Sequence, residues 1–151
     1  MTFFTELMNN KIFVSAAISW FAAQLIKTFI HFILSKEFTM ERMVGSGGMP
    51  SSHSSTVCAL ATATYFEFSS GSFEFAIAAI FAIIVMYDAR GVRRETGIQA
   101  KLLNDILKLF EDMGRKELSA YEKLKEFVGH TPLQVLMGAL LGILLTILLY
   151  L

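Results

Sequence analysis

Cysteine, proline and any excess of charge are what this 151-residue chain lacks. Its one cysteine, Cys58, excludes a disulfide framework within the chain. Because Cys58 lies inside an apolar run, it is expected to pack in the interior, where free cysteine is usually found. Thirteen basic residues balance thirteen acidic ones, so no net field gathers nucleic acid. The only prolines, Pro50 and Pro132, stand at the starts of apolar stretches rather than inside them, where they would break a helix. The N-terminus shows neither the basic start nor the small-residue cleavage site of a secretory signal, so the first apolar run is expected to remain as mature structure.

What the chain has is apolar length: 54% of its residues are hydrophobic and its mean hydropathy is +0.56. That composition argues against a soluble globule and for one integral membrane domain over residues 1–151. Four segments, 11–34, 52–68, 72–87 and 132–151, approach the ~20 residues that a bilayer helix needs. The second and third are short for a full crossing. Only Ser69, Ser70 and Gly71 separate them, so a tight antiparallel hairpin is expected. The polar stretch 88–131 keeps helical periodicity, with Ile98, Leu102, Ile106, Leu109 and Met113 on one face and Lys101, Asp105, Lys108 and Asp112 away from it. After Gly114, Leu118, Tyr121, Leu124 and Val128 repeat the pattern. The expected architecture is therefore all-α: an integral membrane helical bundle with about four membrane segments and two amphipathic helices on the bilayer surface or over the bundle. Basic residues crowd the loop with Lys36 and Arg42 and the segment from Arg90 to Lys125, and none occupies the Ser69–Gly71 turn. The positive-inside bias then predicts a multi-pass protein of the cell membrane with both basic loops in the cytoplasm. Those two loops hold the residues that look chemical.

Residues 45–55 read GSGGMPSSHSS. Gly47 and Gly48 permit close backbone approach, and Ser51, Ser52 and His53 follow at the start of an apolar helix, an arrangement that gathers N–H groups around a phosphate. The plainer reading makes Ser51 or Ser52 an N-cap and His53 an interfacial residue. His130 precedes Thr131, Pro132 and Gln134, a helix start with a Thr-x-x-Gln capping box. The positive end of that helix favours a neutral imidazole, the nucleophilic form. In the first segment Trp20, Gln24, Lys27 and His31 share a helical stripe, and Lys27 is either a site residue or a snorkelling one. Asp88, Arg90, Arg93 and Arg94 follow the third segment, where guanidiniums clamp phosphate bidentately or simply anchor topology.

PSSH at 50–53, His130 with Gln134 four residues on, and GALLG at 138–142 resemble the type 2 phosphatidic acid phosphatase and vanadium haloperoxidase superfamily. GGMPSSHS, DARGVRRETGIQAKLLN and GHTPLQVLMGALLG resemble its divergent bacterial and plant branch over nearly the whole chain. The resemblance implies a phosphatase for a lipid phosphate or pyrophosphate, without metal or other cofactor, acting through a phosphohistidine. His130 would be the nucleophile and His53 the general acid, Lys27, Ser51, Ser52, Gly47, Gly48, Arg90, Arg93 and Arg94 would hold phosphate, and Asp88 and Gln134 would support. Three departures accompany it: Ser52 replaces the glycine before the first histidine, Leu124 stands where an arginine is usual, and Gln134 replaces the aspartate that orients the nucleophile. The last departure opens a second function class, a non-catalytic lipid-phosphate-binding or scaffold protein. Expected partners are a phospholipid or polyprenyl phosphate and the bilayer, with no nucleic acid. Gly138 and Gly142 form a GxxxG that packs against a helix of this chain or of a second copy, the latter giving a homo-oligomer.

Overall fold

The structure is a computed structural model that describes residues 2–36, 48–113, 124 and 129–151, with the backbone alone at residues 35, 92–94 and 111. It is all-helical. A short α1 (Phe3–Asn9) leads into α2 (Lys11–Ser35), followed by α3 (Ser52–Phe68), α4 (Phe73–Arg90), α5 (Val92–Asp112) and α6 (Pro132–Tyr150). The expected apolar segments coincide with α2, α3, α4 and α6 to within a few residues, because each start carries a polar cap that can be read locally. Asn10, Ser51, Ser72 and Thr131 each accept a hydrogen bond from a main-chain N–H of the turn they open. Helix α1 is not foreshadowed by periodicity; its Phe3, Phe4 and Met8 are exposed.

Helices α2, α3, α4 and α6 run alternately up and down, and α3 sits between the other three, with its largest contact against α6. The interior is small and polar, the exterior large and apolar. Ala23, Ala59, Ala63, Ser19, Ser54, Ser55 and Thr146 are buried, whereas Phe29, Ile83, Leu144 and Leu148 are exposed. In water this would be a very large apolar patch; in lipid it is what tight helix packing requires, since small residues let backbones approach. Gly138 and Gly142 take that to its limit. A Cβ on Gly138 would collide with the Ser51 carbonyl oxygen, and one on Gly142 with that of Ser55. The GxxxG therefore serves α3 of the same chain.

Among the described residues three helical stretches are long and apolar enough to cross a membrane, in α2, in α4 running on into α5, and in α6, against the four expected. Helix α3 is the exception: its 17 residues rise only ~25 Å, less than the ~30 Å hydrocarbon core. It is also rich in serine and threonine because its neighbours shield it from lipid. Several of its hydroxyls are satisfied inside the bundle: Thr56, Thr62 and Thr64 donate to the carbonyl four residues back, and Ser55 donates to the Ser19 carbonyl at 3.1 Å. Cys58 is interior, as expected, with its Sγ 3.7 Å from Met86 Sδ.

Helix α5 corresponds to the first of the two amphipathic helices expected. Its inward residues are the small Gly97 and Ala100, and its apolar residues Ile98, Leu102 and Leu109 are exposed, as is Met113 just after it. The second amphipathic helix, expected after Gly114, lies outside the described residues except at Leu124, whose main-chain N–H and C=O are both bonded by the Asn104 carboxamide.

Candidate functional site

Four helix ends meet at one end of the bundle, and three of them, those of α3, α4 and α6, are tied to each other through the backbone. The Ser51 N–H donates to the Gln134 carbonyl at 3.0 Å, joining the start of α3 to the first turn of α6, and the His130 N–H donates to the Ala89 carbonyl at 3.1 Å, joining α6 to the end of α4. These two bonds place His53, in the first turn of α3, against His130, just ahead of α6. The ring centroids lie 5.8 Å apart with the planes at 62°. The two histidines are far apart in sequence and the fold makes them neighbours.

Helix α2 supplies the cation. Lys27 is only 3% exposed, so it does not snorkel. Its Nζ donates to Gln24 Oε1 at 2.8 Å and lies 3.4 Å from Ser52 Oγ. A buried ammonium is costly unless it is hydrogen-bonded or paired, and an anion arriving here meets a cation already stripped of much of its water. Gly48 closes over the lysine stem with φ at +82°, and a Cβ there would stand 3.1 Å from Lys27 Cγ. Glycine is required at this position twice, for its backbone and for its missing side chain. The stripe expected on α2 divides: Gln24 and Lys27 face inward, while Trp20, 45% exposed, faces out.

Gln134 is where the capping box and the site coincide. The Thr131 hydroxyl accepts from the Gln134 N–H at 3.3 Å, and Gln134 Oε1 accepts from the Thr131 N–H at 3.1 Å. The same Oε1 lies 3.1 Å from His130 Nδ1. One oxygen atom thus belongs to the capping box and also faces the His130 ring.

Of the other expected site residues, Ser51 is fully buried and its Oγ accepts the Ser54 N–H as the cap of α3. Ser52 is buried beside Lys27. Asp88 and Arg90 flank Ala89 at the end of α4, half-buried and exposed respectively. Gly47 and the side chains of Arg93 and Arg94 lie outside the described residues.

Comparison with known proteins now bears on this corner. A profile of the divergent PAP2 family matches residues 8–145. The chain belongs to that family. It is also 42% identical to the uncharacterized membrane protein YuiD of Bacillus subtilis (strain 168), over 95% of this chain and 96% of that one. No solved structure matches it. Membership of the divergent PAP2 family agrees with the all-helical membrane fold and with the resemblance carried by the two histidine motifs.

The corner also holds Gln24, which the sequence shows only as part of the α2 stripe, and the Ala89 carbonyl, which it does not show at all. Gln24 holds Lys27 from three residues away, a spacing visible in the sequence, although nothing there says that the pair is buried. The Ala89 carbonyl anchors His130, and a main-chain acceptor leaves no mark on residue choice.

Proposed function

We propose that this divergent PAP2 protein is a metal-independent lipid phosphate or lipid pyrophosphate phosphatase of the cell membrane, with its site at the cytoplasmic face. The observation that carries the reading is the meeting of His53 and His130 beside a buried, hydrogen-bonded Lys27. A lipid phosphate seated there has its charge countered by the Lys27 ammonium and the N-terminal end of α3, with Arg90, Arg93 and Arg94 available from the neighbouring segment. The His130 ring nitrogen attacks phosphorus as the bond to the lipid oxygen breaks, and His53 gives that oxygen its proton. Water then attacks the phosphohistidine, the P–N bond breaks with its electron pair returning to His130, and His53 takes the proton from water. The cytoplasmic orientation in this reading is supported by the positive-inside bias of the basic loops. An impermeant thiol reagent on intact cells should label Thr2→Cys and spare Lys36→Cys; the reverse pattern turns the site outward.

Phosphate release from phosphatidic acid, phosphatidylglycerophosphate and polyprenyl phosphates in detergent tests the chemistry. His130→Ala should abolish turnover together with an acid-labile phospho-enzyme. His53→Ala should slow hydrolysis most for lipid leaving groups and least for an activated aryl phosphate. Undiminished turnover in His130→Ala, or turnover that vanishes with chelator and returns with Mg²⁺, would overturn the mechanism. The second reading, a lipid-phosphate-binding or scaffold protein, is favoured by one observation: an uncharged carboxamide stands against His130 where a carboxylate is usual. It predicts tight binding of the same lipids with no phosphate released.

A further inference from the structure

We infer that the capping box of α6 is a tautomer lock: Thr131 and Gln134 act as positioning residues that hold the hydrogen of His130 on Nδ1 and leave the Nε2 lone pair for phosphorus. The catalytic consequence rests on the proposed phosphatase reading, whereas the lock itself does not.

A glutamine amide is ambiguous until its partners orient it, because its oxygen accepts and its nitrogen donates. Here the Thr131 main-chain N–H points at one of the two atoms from 3.1 Å. A main-chain N–H only donates, so the atom facing it is the oxygen. That same oxygen is 3.1 Å from His130 Nδ1. An amide oxygen only accepts, so Nδ1 carries a hydrogen, and in a neutral ring the lone pair then belongs to Nε2. Free neutral imidazole side chains in water prefer the opposite arrangement, with hydrogen on Nε2. The fold therefore selects the minor tautomer. His130 is 1% exposed and sits at the positive end of α6, two conditions that disfavour a charged ring. The Ala89 carbonyl fixes the backbone from which the ring projects.

The amide also governs the fate of the phosphorylated ring. As the Nε2–P bond forms and the P–O bond breaks, the ring becomes a phosphorylated imidazolium that keeps its Nδ1 hydrogen, and the leaving oxygen takes its proton from His53. A carboxylate at 134 would meet that positive charge with a full negative one, whereas the Gln134 dipole meets it only partly. The phosphorylated ring is consequently a better leaving group toward water, and less phospho-enzyme stands at steady state than a carboxylate at 134 would leave.

Side-chain ¹⁵N spectra of the histidine-labelled protein in detergent read the tautomer directly, with the His130 signal identified by its loss in His130→Asn. Wild type should show hydrogen on Nδ1, as should Thr131→Ala, which keeps the main-chain donor, and Gln134→Glu, which keeps an acceptor. Gln134→Leu, or Gln134→Met should the leucine variant fail to fold, should move the hydrogen to Nε2 and lower kcat at least tenfold at unchanged KM. Gln134→Glu should raise the phospho-enzyme trapped by alkaline quench. An Nε2 hydrogen in wild type, or wild-type tautomer and kcat in Gln134→Met, would overturn the lock. An Nδ1 hydrogen in a wild type that releases no phosphate would support the lock and sink the phosphatase reading instead.

Discussion

At one end of the bundle Lys27 is sealed between Gln24, Ser52 and Gly48, with two histidines beside it. At the other end Lys11 lies on the surface with its ammonium 5.5 Å from the centroid of the Tyr150 ring, and the Tyr150 hydroxyl donates to Glu67 at 2.9 Å. Both ends carry a lysine, hydroxyls and carboxamides, and the second even borders a cleft of about 480 Å³ lined by Glu6, Asn9, Asn10, Lys11 and Glu67. The difference is desolvation. Exposed charges interact through water and are worth little, while a buried ammonium responds strongly to any anion that reaches it. Backbone ties follow the same division: among the described residues, main-chain bonds link α3, α4 and α6 at the first end, and side chains alone meet at the second.

The largest effect should come from the packing that holds the first end together. Gly142→Leu places side-chain atoms where the Ser55 carbonyl stands and should cost about 3 kcal/mol or more by overpacking, read as a lowered unfolding midpoint in detergent. Gly71→Ala, with open space around it, is the matched control and should change little. Similar losses at both positions would refute the close α3–α6 contact.

Next is the pair of lysines. Lys27→Met should reduce phosphate release by about 100-fold or more while leaving stability equal or higher, since an apolar group replaces a buried charge. Lys11→Met should leave turnover unchanged. Equal damage from the two would erase the contrast between the ends.

Caps give a finer comparison. Ser51→Ala at the buried start of α3 should cost toward the upper part of the about 0.5–2 kcal/mol range for N-caps, and Ser72→Ala at the half-buried start of α4 toward its lower part. Equal costs would mean that the backbone tie between Ser51 and Gln134 does not depend on the cap. Smallest of all, Tyr150→Phe removes an exposed hydrogen bond to Glu67 and should shift stability by no more than about 0.5 kcal/mol.

Residue order is enough to bound the principal helices and to assign them to a membrane. Apolar run length and cap residues such as Ser51, Ser72 and Thr131 are local properties, so α2, α3, α4 and α6 could be bounded without knowing what they touch. The two histidine motifs, and with them the family, were equally local. Tertiary structure alone decided that α3 is the shielded centre of the bundle, because lipid exposure depends on neighbours, whereas its shortness for a crossing is legible in its length. It decided that Lys27 is sealed while Trp20 faces out, although both sit on the stripe drawn from α2. It also decided that Gln134 both caps α6 and faces His130 Nδ1, since whether one oxygen serves two donors depends on where the neighbouring ring stands. Periodicity reports which residues share a face; only packing reports what that face meets, and burial and hydrogen-bond partners are what turn a lysine or a histidine into chemistry.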